Sequence, residues 1–158
     1  HNAILLASNL LFAIALWLFY GLISFVIVGK AMFSAQGAVY LANSFVFTLC
    51  ALTMAFLISS IFNNKDAVNG IVNVVALGSA FLCGAFIPVK WLPDGVLAAG
   101  HIFPAYWYIQ TNEYLKPLET VSVPALKPVF INMIAMAGYG VFYIIVANIV
   151  SAKKRVVA

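Results

Sequence analysis

One long apolar run of the chain closes with Gly84-Ala85-Phe86-Ile87-Pro88, and the next does not begin until Val129. Between them the sequence reads Trp91-Leu92-Pro93-Asp94-Gly95 and, further on, Phe103-Pro104-Ala105-Tyr106. Prolines after short apolar runs, together with a dense group of aromatic rings, are typical of a segment that dips into a membrane surface and climbs out again. This stretch therefore indicates a membrane protein with a segment that enters the bilayer surface without crossing it.

The composition of the whole chain supports a membrane setting. Hydrophobic residues make up 65% of the 158 residues and charged residues 8%, against about 45–50% and about 25% in ordinary soluble domains. In a bilayer the backbone must satisfy its own hydrogen bonds, so only helices or a closed barrel are possible. Barrel strands alternate apolar and polar residues, whereas the apolar runs here are continuous. The sequence predicts an all-α fold, a polytopic bundle of transmembrane helices.

Four runs are near or above the length of about 20 residues that a spanning helix needs. They cover residues 3–28, 37–62, 69–87 and 129–152, within a single transmembrane domain. The outer segment, residues 89–128, is predicted to hold two short re-entrant or interfacial helices before the last span. One would begin at Pro93-Asp94 and the other at Pro104, because proline and acidic residues suit the first turn of a helix.

The basic residues predict how the chain is oriented. Lys153, Lys154 and Arg155 directly follow the last span, which places the C-terminus in the cytoplasm. Alternation then puts residues 63–70 inside and the outer segment outside. The net charge of +4 is assigned to topology and lipid headgroups, so the expected partner is the lipid bilayer and not nucleic acid.

No catalytic motif is visible in the sequence, and no metal-ligand or cofactor-binding pattern either. Cys50 and Cys83 are predicted to be small buried hydrophobes. No Asp, Glu, Lys, Arg or His lies inside a span, although ion-driven carriers use such residues near the midplane. We expect a protein that is not an enzyme, and if it transports, an energy source outside this chain.

Three groups of residues are candidates for function. The outer re-entrant segment carries Pro88, Pro93, Pro104, Tyr106 and Glu113; the alternative is an ordinary outer loop with an aromatic belt. Uncharged polar and small residues within the spans form either a packing face between helices or the lining of a polar path: Asn43, Thr48, Asn73, Ala80 and Gly84. A short polar loop is either a simple turn or a docking site for a cytoplasmic ATPase: Asn63, Asn64, Lys65 and Asp66.

Three stretches resemble the C-terminal part of an ABC-2 type transporter permease, the membrane subunit of one class of ABC exporters. They are Ala55–Asn64, Gly84–Pro88 followed by Leu92-Pro93, and Phe103–Tyr106. The resemblance implies six spans per subunit, with re-entrant outer helices between the fifth and the sixth. The four spans here would match the third to the sixth, so the chain is expected to be a fragment of a longer six-span permease.

The resemblance also implies partners. A cytoplasmic ABC ATPase, as a separate subunit or domain, would bind the ATP and drive transport, and residues 63–70 would match the smaller of two coupling sites. Two permease subunits, as a homo- or heterodimer, would surround one path. The expected location is the cell membrane, multi-pass, in a bacterium. The alternatives are a fragment of a secondary carrier or channel, and a membrane factor for assembly or immunity that transports nothing. The substrate is not indicated.

Overall fold

The computed structural model describes residues 2–118 and 120–157, and for residues 2, 3, 5 and 155–157 it describes the backbone alone. Position 119 of the predicted outer segment and the side chain of Arg155 in the basic cluster therefore lie outside the described residues.

The described residues form six α-helices and no strand. Two short 3-10 helices, Gly29–Phe33 and Val89–Trp91, lie in the connections. Four of the α-helices, the first three and the last, are long and apolar enough to cross a membrane, which confirms the predicted fold class. The helices are α1 (Asn2–Val28), α2 (Ala35–Ile61), α3 (Lys65–Cys83), α4 (Asp94–Gly100), α5 (Pro104–Leu115) and α6 (Lys127–Val157).

The third span lies four residues earlier than the predicted range 69–87. The side chain of Asn64 accepts a hydrogen bond of 2.9 Å from the Asp66 N–H and so starts α3 one residue later, at Lys65. Gly84 ends the helix with φ +93, a conformation that glycine adopts without strain. The predicted loop at 63–70 is correspondingly short, because residues 65–70 already belong to the first turns of α3.

The spans formed by α2 and α6 also differ from their predicted ranges. Helix α2 begins two residues before the predicted range, because the Ser34 hydroxyl accepts from the Gly37 N–H at 3.1 Å. Helix α6 is longer than the range 129–152 at both ends, and Pro128 fits its first turn, where a missing N–H costs nothing. The two outer helices begin where the prolines predict: α4 directly after Pro93 and α5 at Pro104.

Helix α2 is the centre of the bundle and packs against α6, α5, α1 and α3, most extensively against α6. A Cβ atom on the buried Gly140 of α6 would lie 3.5 Å from the Thr53 hydroxyl oxygen and 3.8 Å from the Cys50 Cα. Small residues let spanning helices approach in this way. Helix α1 packs mainly on α2, with the indole N–H of Trp17 donating to the Ser44 hydroxyl at 2.9 Å.

Candidate functional site

Helices α4 and α5 form a hairpin that enters the bundle rather than lying on its end. The Tyr139 hydroxyl of α6 donates to the main-chain carbonyl of His101, at the turn of the hairpin, over 2.9 Å. Tyr139 lies about 18 Å along α6 from Lys127, at about 1.5 Å per residue. The turn of the hairpin therefore lies beside the middle of α6 and not beside its start. The hairpin begins at the predicted prolines, and its re-entrant position in a bilayer stays a prediction.

Helix α5, the second helix of the hairpin, runs antiparallel to α2 and is joined to it by a hydrogen bond between two side-chain amides. Asn43 of α2 is fully buried, and its side-chain N–H₂ group donates to the Asn112 side-chain carbonyl at 3.0 Å and to the Tyr108 main-chain carbonyl at 3.1 Å. The Tyr40 hydroxyl donates to the main-chain carbonyl of Asn112 at 3.2 Å. Near the outer end, Gln36 donates to the Leu115 carbonyl, one of the orphan acceptors at the end of α5.

A second set of contacts holds α5 to α6. The Asn132 amide donates to the Thr111 hydroxyl at 3.0 Å, and that hydroxyl donates to the Trp107 carbonyl at 3.0 Å. Thr111 and Leu115 are fully buried. Because buried polar groups in lipid must find partners within the protein, these bonds fix the depth and rotation of α5 between two spanning helices.

The tip of the hairpin packs against the end of α3. The Cys83 thiol donates to the Gly100 carbonyl at 3.7 Å, and a Cβ on Gly100 would lie 3.0 Å from the Leu82 carbonyl oxygen. The ring of Tyr106 lies against that of His101, with centroids 3.9 Å apart. Burial raises the pKa of the Tyr106 phenol, so this side chain stays neutral at physiological pH.

Two of the remaining predicted residues of the outer segment, Pro88 and Glu113, line one cavity. Residues 84–86 and 88–90 border a cavity of about 430 Å³, opposite Glu113 of α5 and Lys116 just after it. Glu113 and Lys116 form an exposed ion pair, which contributes little to stability. Pro93 and Pro104 precede or begin their helices. The structure therefore brings Pro88 and Glu113 to one cavity, while Tyr106 lies at the tip.

The five residues predicted as a packing face or path do not share one surface. Asn43 faces α5, as described above. Thr48 and Asn73 line a separate cavity of about 600 Å³ between α1, α2 and α3. Ala80 and Gly84 lie at the end of α3, where the Ala80 carbonyl accepts from the Ala85 N–H at 2.9 Å. The packing role therefore fits Asn43, and the cavity lining fits Thr48 and Asn73.

The predicted coupling residues lie together at the opposite end of the bundle. Asn63, Asn64, Lys65 and Asp66 are all exposed. Lys154 of α6 holds this end in place, because its ammonium donates to the Ile61 carbonyl at 2.8 Å and to the Asn63 side-chain oxygen at 2.9 Å. A cation at the end of α2 is also favoured by the helix dipole.

Several residues that hold the hairpin or the end of α2 are not among the site residues predicted from the sequence. The buried face of α5 has a helical signal, since Tyr108, Thr111 and Leu115 recur at spacings of three and four. Asn132 is an amide in an otherwise apolar run, a pattern that indicates a hydrogen bond between membrane helices. From the sequence, Lys154 is predicted only to set the orientation of the chain in the membrane. Gln36, Tyr40 and Asn112 carry no signal of their own, because only the docking of α5 supplies their partners.

Within residues 2–118 and 120–157, no group of three or more His, Cys, Asp or Glu side chains could hold a metal ion. The free thiols of Cys50 and Cys83 are buried, as predicted for small hydrophobes. The candidate site is therefore built from hydrogen bonds and cavities, without a visible set of metal ligands in the described part of the chain.

A bundle of four long apolar helices with a helical hairpin before the last of them defines a multi-pass membrane protein. The family model of the ABC-2 type transporter matches residues 3–112. This match covers well over half of the chain, and the chain belongs to the ABC-2 type transporter family. It is a permease component of an ABC transporter. Comparison with curated proteins gave no match, and comparison with solved structures gave none either.

Proposed function

We propose that this chain forms part of the permease subunit of an ATP-driven exporter, in the cell membrane of a bacterium. A second permease subunit, identical or related, would complete the translocation path. ATP would be bound and hydrolysed by a separate ATPase subunit or domain, so that the chain itself is not an enzyme. Membership of the ABC-2 family supports this function.

The observation that carries the proposal is the exposed polar end of the bundle, where α2 ends, α3 begins and Lys154 of α6 contacts the end of α2. The four polar residues there are consecutive and exposed, and Lys154 ties Asn63 and the end of α2 to the last span. Such a surface suits an ATPase, since a push on residues 62–64 would be passed to two spanning helices at once. Lys65 and Asp66 would set the register of docking through exposed charged contacts.

The test is to reverse both charges, with Lys65→Glu and Asp66→Lys, in the full-length permease assembled with its ATPase. We expect a lower substrate-stimulated rate of ATP hydrolysis in proteoliposomes, with membrane insertion unchanged. The matched control is Lys90→Glu with Asp94→Lys, which reverses one pair of exposed charges at the outer end. An unchanged rate at low salt, where charged contacts are strongest, would contradict ATPase docking at this end.

A further inference from the structure

A continuous groove follows α2 from Ser59 to the level of Tyr108 on the re-entrant helix. Its inner part is the cavity of about 600 Å³ between α1, α2 and α3. Its outer part is a cavity of about 460 Å³ between α1, α2 and α5, which reaches Ser44 and Tyr108. Both parts share Ala13, Leu16 and Thr48 in their lining, so they meet at Thr48.

The inner part collects polar side chains from three helices. Asn9 comes from α1, Thr48 and Ser59 from α2, and Asn69 and Asn73 from α3. The two hydroxyls donate to carbonyls of their own helix. Within the part of the chain that the structure describes, the three amides make no side-chain hydrogen bond, and all three are exposed. These amides line the cavity, and their N–H₂ groups and carbonyl oxygens are open to hydrogen bonds with a bound molecule.

The chemistry of the lining indicates which ligand. Phe12 and Phe56 supply apolar surface beside the amides. The residues that line both parts are uncharged throughout. In a low-dielectric site a charged ligand would find no counter-charge, whereas amides and hydroxyls can satisfy a neutral polar group. The volume also falls within the range of about 300–1,000 Å³ that is usual for small-molecule sites.

We propose that this groove binds uncharged amphipathic molecules, with a hydrogen-bonding head group on Asn69 and Asn73 and an apolar body along α1 and α2. The proposal rests on the transport function proposed above, for which it names the substrate class. Thr48, where the two parts of the groove meet, would lie on the route of the molecule from the amides of the inner part to Tyr108 on the re-entrant helix.

The test uses three dansyl-labelled octyl compounds that end in a carboxamide, a trimethylammonium or a sulfonate group. Binding to the full-length permease in lipid nanodiscs is measured by dansyl fluorescence without nucleotide, so the result does not depend on coupling to an ATPase. We expect the carboxamide probe to saturate and to bind at least about tenfold more tightly than either charged probe. The trimethylammonium probe is the stringent comparison, because aromatic faces attract cations.

Variants locate the site. Asn69→Leu with Asn73→Leu should weaken binding of the carboxamide probe by about tenfold, as expected for lost hydrogen bonds. Asn69→Gln with Asn73→Gln keeps both amide groups and should retain most of the affinity. This result would show that the leucine variant loses affinity because it lacks the amides and not because it misfolds. Asn148→Leu, an exposed amide on α6, should leave affinity unchanged.

Three results would overturn the proposal: equal affinity for neutral and charged probes, unchanged affinity in the leucine variant, or loss of subunit association in that variant without any binding of the probe to the wild type. The last result would mean that the amides pair with another helix.

Discussion

The side-chain amide of Asn43 donates to the side-chain carbonyl of Asn112 over 3.0 Å, and this bond joins a spanning helix to a helix that does not span. The bond lies where α5 passes the outer half of α2, and Asn43 is fully buried there. Asn132 makes the equivalent connection to α6 through Thr111. The re-entrant hairpin is thus held at a fixed depth by two amides from two different spanning helices.

Breaking the amide pair should loosen the hairpin. Asn43→Leu leaves the Asn112 carbonyl without its donor, and we expect a loss of about 1–3 kcal/mol in stability. The measurement is the midpoint of thermal unfolding of the purified protein in detergent. Asn43→Leu combined with Asn112→Leu should cost less than the sum of the two single changes, since both remove one interaction. Simple additivity of the two would speak against the pair.

Close contact between α2 and α6 should depend on Gly140. Gly140→Leu would push a bulky side chain against Cys50 and Thr53, and we expect destabilisation of about 1–3 kcal/mol from overpacking. Gly138 on the same helix has open space where its Cβ would stand. Gly138→Leu should therefore be tolerated in the same thermal unfolding assay. Equal midpoints for the two leucine variants would rule out a tight interface at Gly140.

The hydrogen bonds of Lys154 should protect the end of α2. Lys154→Met removes the donor to the Ile61 carbonyl and the Asn63 side chain, so amide hydrogen exchange around residues 61–64 should become faster. The expected increase in exchange rate is about 2- to 5-fold, which corresponds to a loss of about 0.3–1 kcal/mol at a helix end. Lys153→Met removes the neighbouring charge and is the control. If both variants exchange alike, charge alone and not the specific bonds explains the protection.

The orientation predicted from the basic residues can be tested by labelling. Single cysteines replace Asp66 and Ser122, both exposed, in a background where Cys50 and Cys83 are alanine. An impermeant maleimide should label position 122 in intact cells and position 66 only after permeabilisation, because the basic end should face the cytoplasm. Labelling of position 66 in intact cells would reverse the topology, and the exposed end could then not meet an ATPase.

Local signals in the sequence sufficed for the helices and for the starts of the outer pair. Pro93 and Pro104 mark where α4 and α5 begin, since proline fits the first turn of a helix whatever surrounds it. The sequence predicts the end of the third span four residues beyond the end of α3 at Cys83, because apolar residues continue through Ile87. The φ of +93 at Gly84 ends the helix before the apolar run does, and hydropathy does not report backbone conformation.

The sequence by itself determined the solvent of this protein, the helical fold and the number of spans, because these follow from continuous apolar length and the need to satisfy the backbone in lipid. Only the tertiary structure decided what each polar side chain does. Asn43 and Thr48 lie on the same helix, but about 100° per residue turns them some 140° apart. Asn43 therefore hydrogen-bonds to the re-entrant helix α5, and Thr48 lines the groove. Such roles depend on which helix packs on which side, and that is fixed by contacts between residues far apart in the chain.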